Sequence, residues 1–250
     1  MDDCDETVEI IYDDEQFFNN YIKLRSDPNN YNDLIERPNI MKLVDDIRGK
    51  TVLDIGCGFG SLSIALAELR PKRVVAIDNS IRMLGVAERI NSADNLEYIR
   101  LDANDLLDIG ERFDVVCSAL TFHYIGDFSS LIKNIASILK PNGQLIFSQE
   151  HPILTAGEMV VTASELSEGI HIRNYSLDGE RRVEWLGKEI IKYHRKFSTI
   201  FDVLEENGFD VNAVVEPIPP PEIIERNKQM LAELQRPSYL MIKATKRDGI

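Results

Sequence analysis

Val52-Leu53-Asp54-Ile55-Gly56-Cys57-Gly58-Phe59-Gly60 reads as a buried strand running into a glycine-rich turn. Leu62, Ala65, Leu66 and Leu69 follow at i, i+3, i+4 and i+7, the spacing of one helix face. A strand, a tight turn and a helix in immediate succession place backbone N–H groups at a helix start, where a carboxylate or phosphate is favoured. Glycines suit such a turn because the backbone can bend sharply and approach a ligand with no Cβ in the way. A dinucleotide fingerprint needs Gly-x-Gly-x-x-Gly. Here the third position of that frame is Ser61, and the extra glycine comes one residue early at Gly60.

Outward from this segment, short apolar runs alternate with helical periodicity. Val74-Val75-Ala76-Ile77 is a second buried strand, and Ser80 is a suitable N-cap for a helix to about Ile90. Leu96 to Ile99 and Phe113 to Cys117 give a third and a fourth strand. Phe128, Leu131, Ile132, Ile135, Ile138 and Leu139 form an amphipathic helix, stopped by Lys140-Pro141-Asn142-Gly143 before a fifth strand, Gln144 to Ser148. Strands spaced by helices imply a parallel sheet covered on both faces.

The rhythm then breaks. Asp178-Gly179 signals a hairpin between Ile170-His171-Ile172 and Val183-Glu184-Trp185-Leu186. A helix resumes at Phe197, Ile200, Phe201 and Leu204, and closes at Asn207-Gly208. Two more strands, Phe209 to Val215 and Tyr239 to Ala244, flank a polar helix near 222–235. The expectation is an α/β fold: a Rossmann-like seven-stranded sheet, mostly parallel, with one antiparallel strand near the C-terminus and helices on both faces. It forms one domain, with residues 1–40 as an aromatic lid or flank and 41–150 as the ligand-binding core. Residues 151–194 are an insertion covering the substrate, and 195–250 complete the sheet.

With 42 acidic against 28 basic residues, the net charge is −14. Such a surface repels phosphate backbones, so no nucleic-acid partner is expected. The run Lys188 to Lys196 is the one basic stretch, read as a solvated strand and helix start. Cys4, Cys57 and Cys117 carry neither a disulfide framework nor a zinc signature. The acidic start Met1-Asp2-Asp3-Cys4 differs from a signal peptide, and no apolar run has membrane-spanning length. A cytoplasmic protein without membrane contact, monomer or homodimer, is expected.

Gly-x-Gly-x-Gly after a strand carrying Asp resembles the motif of the class I S-adenosylmethionine-dependent methyltransferases. Asp78, 24 residues after Asp54, ends the second strand, where a carboxylate accepts both ribose hydroxyls of a nucleoside. Leu101-Asp102-Ala103 resembles the family's adenine site, and Phe113-Asp114-Val115-Val116-Cys117-Ser118 the strand lining the methyl-donor sulfonium. Leu139 to Leu145 resembles its helix-to-strand turn. The implied cofactor is S-adenosylmethionine, with S-adenosylhomocysteine as product. The implied cofactor-binding residues are Asp54, Gly56, Cys57, Gly58, Gly60, Asp78, Asn79, Met83, Asp102, Ala103 and Ser118. Ordering of the glycine loop is the competing role for Asp54, a surface carboxylate for Asp78 and a turn residue for Asp102.

Leu120-Thr121-Phe122-His123-Tyr124-Ile125 and Ser148-Gln149-Glu150-His151-Pro152 resemble small-molecule methyltransferases near the ubiquinone/menaquinone group, as does the flank Asn30 to Glu36. Methyl transfer needs orientation and exclusion of water, and a general base when the acceptor is a hydroxyl or ammonium group. Of the four histidines, His123 and His151 follow the fourth and fifth strands and are the candidates for that base or for orienting the acceptor. The competing role is a hydrogen-bonded wall residue. Tyr21, Tyr31, Tyr124, Glu150 and Trp185 are the candidate substrate contacts, although packing alone also explains an aromatic. No metal-ligand spacing appears. Ser118-Ala119-Leu120-Thr121 lacks the Asp/Asn/Ser-Pro-Pro-Tyr/Phe of amino-methylating nucleic-acid enzymes, and Cys117 follows Val116 rather than the proline of cytosine-C5 enzymes. The leading reading is a small-molecule methyltransferase. A non-catalytic S-adenosylmethionine-binding sensor or partner subunit is the alternative, and Ser61 disfavours a nicotinamide oxidoreductase.

Overall fold

The structure, a computed structural model, describes residues 10–161 and 168–248; Cys4 lies outside them. Ahead of the sheet come a turn Ile11–Asp13, helix α1 (Glu15–Arg25), a π turn Asn32–Glu36 and α2 (Arg37–Leu43). The alternating half then runs β1 (Thr51–Ile55), α3 (Ser61–Glu68), β2 (Arg73–Asp78), α4 (Ile81–Ile90), β3 (Leu96–Arg100) and β4 (Phe113–Ala119). It closes with α5 (Phe128–Ile138) and β5 (Leu139–Glu150). Next come α6 (Pro152–Thr155), β6 (Gly157–Val161), β7 (Glu168–Ile172), β8 (Gly179–Trp185) and β9 (Lys188–His194). The chain ends with α7 (Phe197–Glu206), β10 (Phe209–Val215), α8 (Pro221–Arg226) and β11 (Tyr239–Lys246).

Seven strands form the main sheet in the order β10-β11-β5-β4-β1-β2-β3, and β11 alone runs antiparallel to its neighbours. The period of 2 along each strand sorts side chains between two cores. Leu53, Ile55, Val116, Leu145 and Phe147 pack with Leu131, Ile135, Ile200 and Leu204 on one face. Val52, Val115, Cys117 and Ile146 pack with Ile35, Ile40, Leu62 and Leu66 on the other. Each fully buried Leu or Ile contributes about 1.5–3 kcal/mol, so these two layers hold the sheet together.

The chain leaves β1 for β2 and β3 on one side, and β4 and β5 lie on the other. The strand order therefore reverses between β1 and β4, and a ligand crevice opens beyond their carboxyl ends. Ser80 caps α4 as expected, accepting from Met83 N at 3.1 Å. The Lys140–Gly143 turn forms as well, as an irregularity where β5 shifts register against β4.

The insertion differs from its expected form. Asp178-Gly179 joins no hairpin: β7 pairs with β6, and β8 pairs with β9 around Leu186-Gly187. Leu186 and Gly187 have φ of 52° and 82°, the mirror-turn geometry that suits twisted strands. The Asp178 carboxylate instead accepts from Lys196 N (2.9 Å) and from the Thr199 hydroxyl, capping α7 from outside the helix. The polar helix near 222–235 is likewise two pieces, α8 and a turn Lys228–Leu234, parted at Asn227. Among the described residues, no helix is long and apolar enough to cross a membrane.

Candidate active site

A cleft of about 920 Å³ opens above the ends of β1 and β4, within the range of small-molecule sites. Its floor is the glycine turn. Gly56 N and Cys57 N both donate to Ile77 O, at 2.8 and 2.9 Å, stitching the turn to β2. Gly56 sits at φ 69° with the Thr121 side chain where its Cβ would be, so only glycine fits there without displacement.

Asp54 is fully buried behind the turn. Its Oδ2 accepts from Ser63 Oγ at 2.6 Å, while Oδ1 meets no donor among the described residues. Burial pushes its pKa up to about 7. The folded state thus holds a proton that the unfolded chain releases near its ordinary value of 3.8. This contribution to stability is full below the unfolded pKa and is lost as pH rises through the folded one. The stability difference between wild type and Asp54→Asn is expected to change by up to about 1.4 kcal/mol per pH unit between pH 5 and 7. Urea midpoints measured across that range check the slope; parallel curves for the two proteins contradict it.

Asp78 ends β2. Its Oδ2 accepts from Gly58 N (2.8 Å) and Oδ1 from Ser80 N (2.9 Å), so one carboxylate braces both the turn and the start of α4. It also lines the cleft, and burial raises its pKa. Asn79 Nδ2 donates to Asp102 Oδ2 at 2.9 Å, while Asp102 Oδ1 accepts from Asn104 N. Asp102 is therefore both a turn residue and a cleft residue. Cys57, Gly58 and Met83 also line the cleft.

Gly60, Ala103 and Ser118 do not line it. Gly60 caps α3, and a Cβ there would strike the Tyr98 hydroxyl. Ala103 packs against the core. The Ser118 hydroxyl, fully buried, donates to Ile55 O at 2.8 Å and ties β4 to β1.

An aromatic and polar half faces this floor. His123 and Tyr124 come from the turn after β4, Glu150 from the end of β5, Trp185 from β8, and Tyr21 and Tyr31 from the flank. Tyr21 stands edge-on to Trp185 at 5.9 Å between ring centroids and tilts over Phe59 at 5.5 Å. The Tyr12 and Tyr124 hydroxyls lie 3.2 Å apart. The flank is fastened at further points: Asp13 Oδ1 accepts from Ser80 Oγ (2.6 Å) and Arg82 N (3.1 Å), and Asp14 pairs with Lys188 at 2.9 Å.

The two histidines part company. His123 is in the cleft wall, where Nδ1 accepts from Glu150 N at 3.4 Å and Nε2 lies 4.0 Å from Glu150 Oε1. Burial drives its pKa down to about 4, so it is neutral near pH 7. Burial would raise Glu150, but the Lys192 ammonium on its Oε1 opposes this, and the carboxylate stays below its ordinary pKa. His151 does not line the cleft; its ring accepts from Ile153 N, capping α6, and meets Glu216 at 2.7 Å. β5 ends at Glu150, and His151, as the N-cap of α6, is committed to that helix's start and to Glu216.

Sequence reasoning did not place Glu36, Thr121 and Tyr239 in the cleft, took Tyr12 no further than the aromatic flank, and missed Asp13 as a second acceptor at the start of α4. None of these residues belongs to a local motif, and their place in the cleft is set by contacts with distant segments. The basic run is no open patch: Lys192 pairs with Glu150, and the buried Arg195 donates to Phe122 O and lies 4.7 Å over the Phe128 ring. Among the described residues, no cluster of His, Cys, Asp or Glu is placed to hold a metal ion.

The floor fits a nucleoside with a cationic end. It has a carboxylate at the second strand end, a buried Asp54 oxygen with no donor among the described residues, and a turn free of Cβ atoms at Gly56 and Gly58. Comparison with known proteins agrees. The methyltransferase domain family matches residues 47–171. A crystal structure from Listeria monocytogenes, provisionally assigned as an S-adenosylmethionine-dependent methyltransferase, is 36% identical with a TM-score of 0.79, covering 84% of this chain and 96% of that one. An uncharacterized protein of Haemophilus influenzae is 33% identical across 94% of this chain and 96% of its own length. The ubiquinone biosynthesis O-methyltransferase of Pseudomonas syringae is 40% identical over 106 residues, spanning 41% of this chain and 45% of that enzyme.

Proposed function

The chain belongs to the class I S-adenosylmethionine-dependent methyltransferases, and from that premise we propose that it passes a methyl group in line to a small-molecule acceptor. One observation carries the reading. The glycine turn with Asp54 and Asp78, and the wall of Tyr124, Glu150 and Trp185, line a single continuous cleft, so donor and acceptor meet without leaving it.

S-adenosylmethionine, when bound, supplies a methyl carbon already activated by its sulfonium. The protein's own residues bind, orient and keep water away. Asp78 would accept from the ribose hydroxyls, Asp102 would face the adenine edge, and Asp54 Oδ1 would receive an N–H donor. Tyr12 and Tyr21, packed edge-on to Tyr124 and Trp185, roof the reacting centre and exclude water. Residues 10–25 and the β8–β9 hairpin thereby act as the acceptor's cover. The acidic surface and the paired state of Lys192 and Arg195 favour a small molecule over a polynucleotide.

The test has two steps. Calorimetry with S-adenosylhomocysteine reports the donor site, and absence of binding sinks the whole reading. Labelled methyl from S-adenosylmethionine is then offered to separated small-molecule, RNA and protein fractions of a cell extract. Label confined to the small-molecule fraction is expected; label in RNA or protein overturns the acceptor class.

A further inference from the structure

Glu36 is a buried carboxylate that the donor site does not use. It closes the π turn Asn32–Glu36, is 3% exposed and lines the cleft. Its Oε1 accepts from Ser148 Oγ at 2.5 Å, and Ser148 Oγ accepts in turn from Leu120 N at 3.1 Å. Its Oε2 has no hydrogen-bond donor among the described residues.

The groups around it come from several elements. Arg25 of α1 and Arg37 of α2 stand near, but both spend their charge on Asp33, at 3.1 and 3.0 Å. Asp54 of β1, Tyr21 of α1 and Tyr239 of β11 complete its surroundings. Burial is the main effect on Glu36 and raises its pKa to about 7. Glu150, in the same cleft, has the opposite environment: Lys192 neutralises it and it stays ionised. Two carboxylates driven apart in this way divide into a proton acceptor and a fixed anion. A general base works best when its pKa lies near the working pH. His123 suits that task less, since its Nδ1 already accepts from Glu150 N and burial keeps it weakly basic.

Resting on the methyltransferase reading, we propose that Glu36 is the general base of the reaction, and that the acceptor is a hydroxyl or amine bound between Glu36 and Glu150. The acceptor's lone pair forms the new bond to the methyl carbon as the carbon–sulfur bond breaks, with its electron pair left on sulfur. The proton lost by the acceptor passes to Glu36 Oε2 and then to water. The base thus comes from the flank, so the site is incomplete until residues 32–36 dock on β5.

The test compares wild type, Glu36→Gln and Glu36→Asp. Binding of S-adenosylhomocysteine is measured first; its loss in wild type would defeat the family reading of the site, not this assignment alone. Turnover is then measured from pH 6 to 9 with a panel of phenols, catechols and amines. Glu36→Gln is expected to lower kcat by at least about a hundredfold and remove the acid limb of the profile, with product affinity unchanged. Glu36→Asp is expected to recover part of the rate. A Gln variant as active as wild type overturns the proposal. Should no panel member turn over, carboxyl 13C NMR of the S-adenosylhomocysteine complex decides instead, with the Glu36 signal assigned through the Gln variant. That signal is expected to titrate near neutrality and to shift when phenol or benzylamine is added; a signal that does neither overturns the proposal.

Discussion

Asp78→Ala is expected to weaken S-adenosylhomocysteine binding by about 10²–10⁴-fold, from a wild-type affinity of roughly micromolar order. Two ribose hydroxyls donating to one carboxylate account for most of this, since a hydrogen bond to a charged group contributes about 1.5–3 kcal/mol. The remainder is structural. Gly58 N and Ser80 N donate to the two Asp78 oxygens, and alanine leaves both N–H groups without that acceptor. The turn then loses its brace on the side facing the ligand. Asp78→Asn keeps one oxygen and is expected to fall between the two. Calorimetry measures all three proteins; an alanine variant binding within about threefold of wild type would remove Asp78 from the donor site.

Gly56→Ala is expected to be nearly as damaging, for a different reason. At φ 69° any residue with a Cβ pays about 1–2 kcal/mol in backbone strain. The added methyl would also overlap the Thr121 side chain, whose hydroxyl donates toward Ile55 O (3.3 Å) and Ala119 O (3.2 Å) and so has little room to turn. Relief requires the turn to lift, which strains the Gly56 N and Cys57 N bonds to Ile77 O. A total near 3 kcal/mol corresponds to a drop in Tm of about 6–12 °C for a chain of this size, with loss of product binding. Thr121→Ala in the same background removes the two nearest clashing atoms, leaving the Cβ contact at 2.8 Å and the strain, so it is expected to restore part of the Tm. An unchanged melting curve for Gly56→Ala would show that the turn is looser than its geometry indicates.

The floor of the cleft, where we propose that the donor sits, was largely legible from residue order because it is built locally. Asp54, Gly56, Gly58, Asp78 and Asp102 stand at the ends of three strands that follow one another in the chain and lie side by side in the sheet. Once the βαβ rhythm is read, right-handed crossovers bring those ends together. The acceptor half was only partly legible. Tyr21, Tyr124, Glu150 and Trp185 were named as acceptor contacts, but Tyr12, Glu36 and Tyr239 were not. They arrive from a flank and from a late strand, through contacts spanning a hundred residues or more, such as Glu36 on Ser148. The Asp178 error has the same root: its carboxylate bonds a helix start 18 residues away, and no turn statistic encodes that.

Apolar spacing, glycine placement and strand-end carboxylates were enough to specify a seven-stranded sheet and the floor of its cleft, because each depends on neighbours within a few residues. Which side chains roof the floor, which histidine faces it and which carboxylate stands unpaired depended on how distant segments dock and what each docking shields from water. Asp54 and Glu36 carry the same kind of group as the exposed acids elsewhere in the chain, and burial alone sets them apart.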